Sequence, residues 1–357
     1  MAVKSPVMAF LLLAACGGNP FVTTPSSGGG SGSGGTSVSD LPGTTNPTSA
    51  GSVTRSEDKN KGPDGGEVTG NGFAQGISYD STADTFTVDN LAFDGGNVYT
   101  RSAAAPRLGP TNPDGTPQVR AFQASSTFAD SLTGAQIDQF SYRALYGVSK
   151  TGRSNFAIVR TGAYLPYGFG GFVYNRTGGV TLPTTGQAKY KGTYAGLRDF
   201  DGVPTSEPKL EYTTGDMTMA IDFNDFNAAE SGTGNGAGIQ GAVTNRHVFD
   251  LQGNDITALA VAGINKDRGL TTTGLTQLPS LVFTVGPGVL DNNGEAEGRL
   301  TSTAPDGSGT VSLLEEGKYY AIISGSNADE VVGVLVVTSK TDGATARETG
   351  GFILYRP

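Results

Sequence analysis

Gly186-Gln187-Ala188-Lys189-Tyr190-Lys191-Gly192-Thr193-Tyr194-Ala195-Gly196 sets Ala188, Tyr190, Gly192 and Tyr194 two residues apart along an extended chain. A period of two belongs to a strand with one buried face. Glycine inside such a strand costs stability unless the backbone must bend, as at a barrel corner. Gly192 and Gly196 therefore read as corner residues, and Gly333 and Gly351 do likewise. The alternation returns in Met217, Met219, Ile221 and Phe223, in Tyr320 and Ile322, and in Val332, Val334 and Val336, with a last strand over 351–355. Turn clusters such as Asp291-Asn292-Asn293-Gly294 and Pro305-Asp306-Gly307-Ser308 separate the runs. Short strands divided by such turns predict an antiparallel sandwich or barrel. Closure is favoured because an open sheet of this length exposes edges that pair with other chains.

Upstream, Ile77 and Tyr79, then residues 80–84, then Phe86 and Val88 read as a hairpin. Further strand signals lie over 156–160 and 171–174. The one stretch with a 3.6-residue character is 131–145, where Leu132, Ile137, Phe140 and Leu145 could share a helical face. It contains Gly134, so no more than a turn of helix is expected. Residues 68–185 thus form a β-rich N-terminal domain and 186–357 a second domain, in an all-β protein.

Residues 16–67 are dominated by Gly, Ser, Thr and Pro, including Gly28-Gly29-Gly30-Ser31-Gly32-Ser33-Gly34-Gly35. Such a composition cannot bury enough apolar area to offset the entropy of ordering it. It reads as a disordered tether with an r.m.s. reach of roughly 40 Å. Before it, the apolar run 7–15 ends in Leu13-Ala14-Ala15-Cys16 and matches a secretory signal peptide over 1–15. The run is far shorter than the about 20 apolar residues of a transmembrane helix. It resembles a bacterial lipobox, in which the cysteine becomes the first residue and carries the lipid. That resemblance implies Cys16 as the lipid-attachment residue, bearing palmitate-like acyl chains, and a membrane as the first partner. Each buried CH₂ contributes about 0.8 kcal/mol, so two or three chains anchor firmly. Cys16 is the only cysteine, which leaves no disulfide for the folded part.

The formal charge of −9 argues against nucleic acid and anionic membrane surfaces, which both need clustered Lys and Arg. With the single histidine His247 and no thiol in the folded part, His/Cys metal sites and Ser–His catalysis are scarcely supplied. His247 lies in Asn245-Arg246-His247-Val248-Phe249, a strand or its end, and reads as a surface or hydrogen-bonded residue. Gly236, Gly238 and Gly241 formally match G-x-G-x-x-G but sit in a Gly-rich loop without the flanking strand and helix that a dinucleotide site needs. Asp291, Asn293 and Glu295 lack the spacing of a calcium loop and read as a turn. Glu315 and Glu316 point to opposite faces or lie in a turn, so they make no acid/base pair. No cofactor and no enzymatic activity are expected.

The 186–196 run resembles the G-x-A-x-Y-x-G opening strand of the β-barrel domain shared by transferrin-binding protein B and factor H-binding protein. In the same order come residues 219–223 ending in Ile-Asp-Phe, Ile239-Gln240-Gly241 as an I-x-G, residues 317–320 with 327–333 as the G-x-F-Y-G-P-x-A-x-E-x-G-G signature, and Gly350-Gly351-Phe352 as the closing strand. In place of the compact F-Y-G-P stands Ala321-Ile322-Ile323-Ser324-Gly325-Ser326, which lengthens or re-registers a strand. The resemblance covers 186–357. It implies an eight-stranded antiparallel barrel after a handle-like N-terminal domain, in a surface-exposed outer-membrane lipoprotein that binds a protein or small ligand without catalysis. It further implies iron or nutrient acquisition with a TonB-type outer-membrane channel as partner, and leaves the ligand unnamed. Among the residues, the aromatic Gly-rich run with Tyr164, Tyr167 and Phe169 supplies the candidate ligand contacts, since exposed Tyr and Phe make good anchors; packing within a strand of the first domain is the competing reading. The alternative function is a structural envelope lipoprotein with no specific ligand.

Overall fold

The computed structural model describes residues 48–57, 74, 76–89, 91, 94, 98–124, 127–163, 169–200, 209–226, 236–270, 274–287, 289–341 and 344–357. The first ten strands are β1 (Val53–Ser56), β2 (Ile77–Asp80), β3 (Thr85–Val88), β4 (Val98–Arg101), β5 (Val119–Ala124), β6 (Thr127–Ala129), β7 (Gln136–Asp138), β8 (Arg143–Val148), β9 (Ser154–Arg160) and β10 (Gly170–Arg176). The rest are β11 (Gln187–Phe200), β12 (Leu210–Phe226), β13 (Gly236–Phe249), helix α1 (Thr257–Asp267), β14 (Leu281–Phe283), β15 (Gly286–Pro287), β16 (Glu295–Pro305), β17 (Val311–Ser324), β18 (Glu330–Thr341) and β19 (Ala344–Tyr355).

Two large antiparallel sheets result. One is open, in the order β1-β10-β9-β8-β5-β4-β3-β2. The other runs β12-β11-β19-β18-β17-β16-β14-β13 and closes through β12–β13 pairing into an eight-stranded barrel, with β15 a short addition on β13. The 186–196 run lies in β11, where Ala188, Tyr190 and Tyr194 enter the barrel core. Closure gives most backbone groups of these strands a ladder partner and removes the edges.

The open sheet lies across the outer wall of the barrel. Phe156, Ile158, Phe172 and Tyr174 of the sheet pack with Ala195, Leu197, Tyr320 and Ile353 of the barrel in one buried cluster. This explains why 331–337 is apolar almost without interruption. Val331, Leu335 and Val337 face the barrel interior, while Val332, Val334 and Val336 face the sheet, so β18 is buried on both faces. Gly351 has its reason here too. A Cβ at this position would stand 2.2 Å from the Phe156 ring, so close approach of an aromatic, rather than a bend, excludes a side chain.

Ion pairs stitch the same seam. Arg55 of β1 binds Glu295 of β16 through Nε (2.7 Å) and Nη2 (2.9 Å). Arg160 of β9 donates to Thr349 Oγ1 at 3.0 Å and lies 3.6 Å from Asp199 of β11, while Glu57 of its own sheet stands 3.2 Å away. Arg176 reaches the carbonyls of Gly51, Asn293, Ile323 and Ser49. Val53–Ser56 falls inside the stretch read as tether, yet it pairs with β10. Its valine and arginine find partners across the seam that composition alone does not reveal.

Other differences have local causes. Residues 131–145 form no helical turn. Asp130 Oδ1 accepts the N–H groups of Leu132 (3.0 Å) and Thr133 (2.6 Å), and Gly134 adopts φ +71°, which together make a tight turn between β6 and β7. Leu145 is buried in β8 while Leu132 is 93% exposed at the hairpin tip, so the apparent helical face is split. The helix lies elsewhere, at α1, where only Val261 and Ile264 are buried; two inward residues give too weak a period to stand out. Gly236, Gly238 and Gly241 lie in β13, not in a loop. The hairpin over 77–88 forms with Ile77 opposite Val88. The departure at 321–326 is absorbed by running β17 to Ser324 before a turn into β18.

Candidate functional site

The chain comes in at one end of the barrel, where Asn293 Nδ2 donates to Thr48 Oγ1 at 2.5 Å and Ser49 N meets Glu295 Oε1 at 3.4 Å. Register places Arg160, Phe200, Pro305 and Thr341, the last residues of β9, β11, β16 and β18, at the other end, where β13 also ends and leads to α1. Lys209 N donates to Gly162 O at 2.8 Å there, joining sheet and barrel. The β6–β7 hairpin leaves the sheet at this distal end, since Arg143 at its base stands opposite Arg160.

Inside the distal half of the barrel lies a charged layer, bordered by two β-bulges. In β13, Thr244 opposes Asp216 and His247 opposes Thr214, so two residues, Asn245 and Arg246, face one. Asn245 takes up the extra residue at φ +49°, a conformation open to Asn at low cost. Val243 points inward, so strict alternation would send Arg246 to solvent and His247 inside. The bulge reverses this. In β17, Thr303 opposes Leu313 and Ser302 opposes Glu315; the extra residue Leu314 packs beneath α1 and Glu315 points inward.

Glu315 keeps the inward phase of Tyr319, Ala321 and Ile323, and Arg246, turned inward by its bulge, binds it. Arg246 Nη1 and Nη2 donate to Glu315 Oε2 and Oε1 at 2.8 and 2.9 Å. Arg246 Nη2 also reaches Glu348 Oε2 at 3.1 Å. Tyr194 Oη donates to Glu348 Oε1 at 2.7 Å and Ser302 Oγ to Glu315 Oε2 at 2.5 Å. Arg198 binds Glu211 at 2.8 Å and lies 3.7 Å from Glu348. Burial alone would raise the Glu315 carboxyl, but Arg246 and the Ser302 hydroxyl hold it below the ordinary range. Burial likewise opposes the charge of Arg246, and the two glutamates more than restore it. Burial pushes Glu211 up against the pull of Arg198.

The sign of the pH effect follows. A carboxyl depressed in the folded state stabilises fully above its unfolded value near 4.5 and loses that contribution as pH falls through the folded value. Glu211, raised, has the opposite sign. Denaturant midpoints from pH 7 to pH 3 are expected to fall on the acid side. Glu315→Gln should flatten that limb while lowering stability at pH 7 by roughly 2 kcal/mol; an unchanged limb would show that Glu315 does not titrate with folding.

Cys16, Tyr164 and Tyr167 lie outside the described residues. Phe169 is half-buried, its ring stacked on Phe140 at 5.4 Å and 14°, with its N–H donated to Thr161 Oγ1 at 2.8 Å. It packs at the base of the distal hairpin, whose exposed apolar residues are Leu132 and Ile137. His247 faces outward and meets Asp255 at 3.0 Å. Asp291 accepts the turn N–H groups of Asn293 and Glu295, and Glu295 is taken by Arg55. No group of three or more His, Cys, Asp or Glu able to hold a metal ion occurs among the described residues. Arg246, Glu348 and Tyr194 were not singled out from sequence as one site. The available signal was an asparagine in the middle of an alternating strand, which marks a candidate bulge.

No protein-family model matches the chain, and no curated protein matches it. Solved structures of transferrin binding protein B are similar to it. A double mutant from Haemophilus parasuis Hp5 aligns with 10% identity and a TM-score of 0.33, over 78% of this chain and 44% of that one. A single mutant of the same protein gives 9% and 0.29 over 79% and 66%, and intact Ap-TbpB, with its N and C lobes, gives 12% and 0.30 over 87% and 61%. The chain therefore spans between 44% and 66% of the length of these structures. Overlap this weak assigns neither a family nor a ligand, and the barrel stands on its own strand pairing.

Proposed function

We infer that the protein is a lipid-anchored binding protein of the outer membrane, held through Cys16 and displayed at the cell surface. The observation that carries this is polarity of the folded body. Thr48, following the Gly/Ser/Thr/Pro-rich segment, is fastened at one end, while the exposed Leu132 and Ile137 stand at the other with the Phe140–Phe169 stack beneath them. An anchor at one end and apolar anchors at the opposite end suit capture of a protein partner, with Tyr164 and Tyr167 joining the contact surface. Iron or nutrient acquisition beside a TonB-type channel is the finer form of the reading and rests on the sequence resemblance.

Metabolic labelling with palmitate should mark the wild-type protein and leave Cys16→Ser unlabelled and released from membranes. Protease added to intact cells should remove the body. Labelled Cys16→Ser would sink the anchoring; a wild-type body untouched by protease would favour the structural envelope role.

A further inference from the structure

The geometry points to a binding site in the side wall of the barrel for an uncharged amphiphilic small molecule, apolar along one side and carrying hydrogen-bonding groups on the other. The barrel wall is incomplete there. β13 and β16 are both long, but β14 bridges them with three residues, pairing only at Ala242 and Val243 on one side and at Leu300 and Thr301 on the other. Towards α1 the segment 274–280 takes the place of β14 without joining a strand ladder. A cavity of about 400 Å³ opens in the gap, with Leu278, Pro279 and Val282 on one wall and Thr301, Ser302 and Thr303 on the other. That volume is near the lower end of the roughly 300–1,000 Å³ common for small-molecule sites.

The walls are fixed in place. Asn265 of α1 clamps Leu275 on both backbone groups, accepting its N–H at 2.8 Å and donating to its carbonyl at 3.0 Å. Arg246 Nη1 donates to Pro279 O at 2.9 Å from inside the barrel. The irregular segment is thus held open by the charged layer and the helix, and a preformed cavity spares its ligand the cost of ordering it.

Lining chemistry sets the ligand class. Among the described residues no ionisable side chain lines the cavity, so a charged ligand would lose hydration without a counter-charge. Val282 is 51% exposed, an apolar surface that a ligand would cover. Opposite it, Thr301 and Thr303 carry hydroxyls, and Gln277 and Ser280 line the near wall; these groups donate or accept, which suits a ligand with hydrogen-bonding groups along one side.

The test uses N-phenyl-1-naphthylamine, a neutral apolar fluorophore with one N–H, and the full-length Cys16→Ser protein, which needs no competing detergent. Its fluorescence should rise saturably to one probe per chain, equally at low and high salt. Val282→Arg and, from the opposite wall, Thr303→Lys should each weaken binding at least tenfold. Val285→Arg, equally exposed on the next stretch but outside the cavity, should leave it unchanged. Unsaturable enhancement, retention in both wall variants, or equal loss in Val285→Arg would overturn the site.

Discussion

Replacing Arg246 by methionine is expected to lower the unfolding free energy by about 4 kcal/mol, measured by denaturant titration at pH 7. The guanidinium is buried and supplies the bidentate partner of Glu315 and a further bond to Glu348. Methionine fills much of the same volume, so lost packing is the smaller part. What remains is a buried carboxylate whose charge has no counterpart, and that is the expensive state. Arg246→Met combined with Glu315→Leu should recover at least half of the loss, because a matched apolar pair often replaces a buried ion pair at little cost. A single variant within 1 kcal/mol of wild type would mean that water reaches the layer and that the barrel is open at α1. The layer would then have to be redrawn as a solvated channel.

The barrel was legible because its strands are long and their inward residues alternate: Ala188-x-Tyr190 and Met217-x-Met219-x-Ile221 declare one face each. The charged layer was not legible for the same reason. Arg246 sits where alternation breaks, and following Val243 in steps of two puts it outside. β1 stayed hidden because four residues, Val53–Ser56, carry too short a pattern amid polar neighbours, and their partners lie more than a hundred residues away. The cover on β18 was half legible. Val332, Val334 and Val336 show a buried face, whereas that the residues between them are buried as well requires the second sheet. Glu315 and Glu316 lie on opposite faces of β17, one of the two readings left open, and Glu315 is the inward one because it continues the alternation of Ile323, Ala321 and Tyr319.

Phe156→Ala should cost about 4 kcal/mol and loosen the grip of the open sheet on the barrel. The ring is fully buried and lies between two glycines, Gly147 across the ladder in its own sheet and Gly351 in the barrel, each of which would place a Cβ 2.2 Å from it. Both strands thus forgo a side chain to admit one ring, and removing the ring empties a space that glycine backbones cannot refill. Gly351→Ala alone should also destabilise, by roughly 2 kcal/mol, through overpacking against that ring. In the Phe156→Ala background the same methyl group has room and fills part of the hole. The double-mutant cycle is therefore expected to give a favourable coupling of about 2 kcal/mol, read from denaturant midpoints of the four proteins. Additive costs would mean that the ring does not rest on Gly351, and that the seam depends on its ion pairs, Arg55 with Glu295 and Arg160 with Asp199, rather than on this interlock.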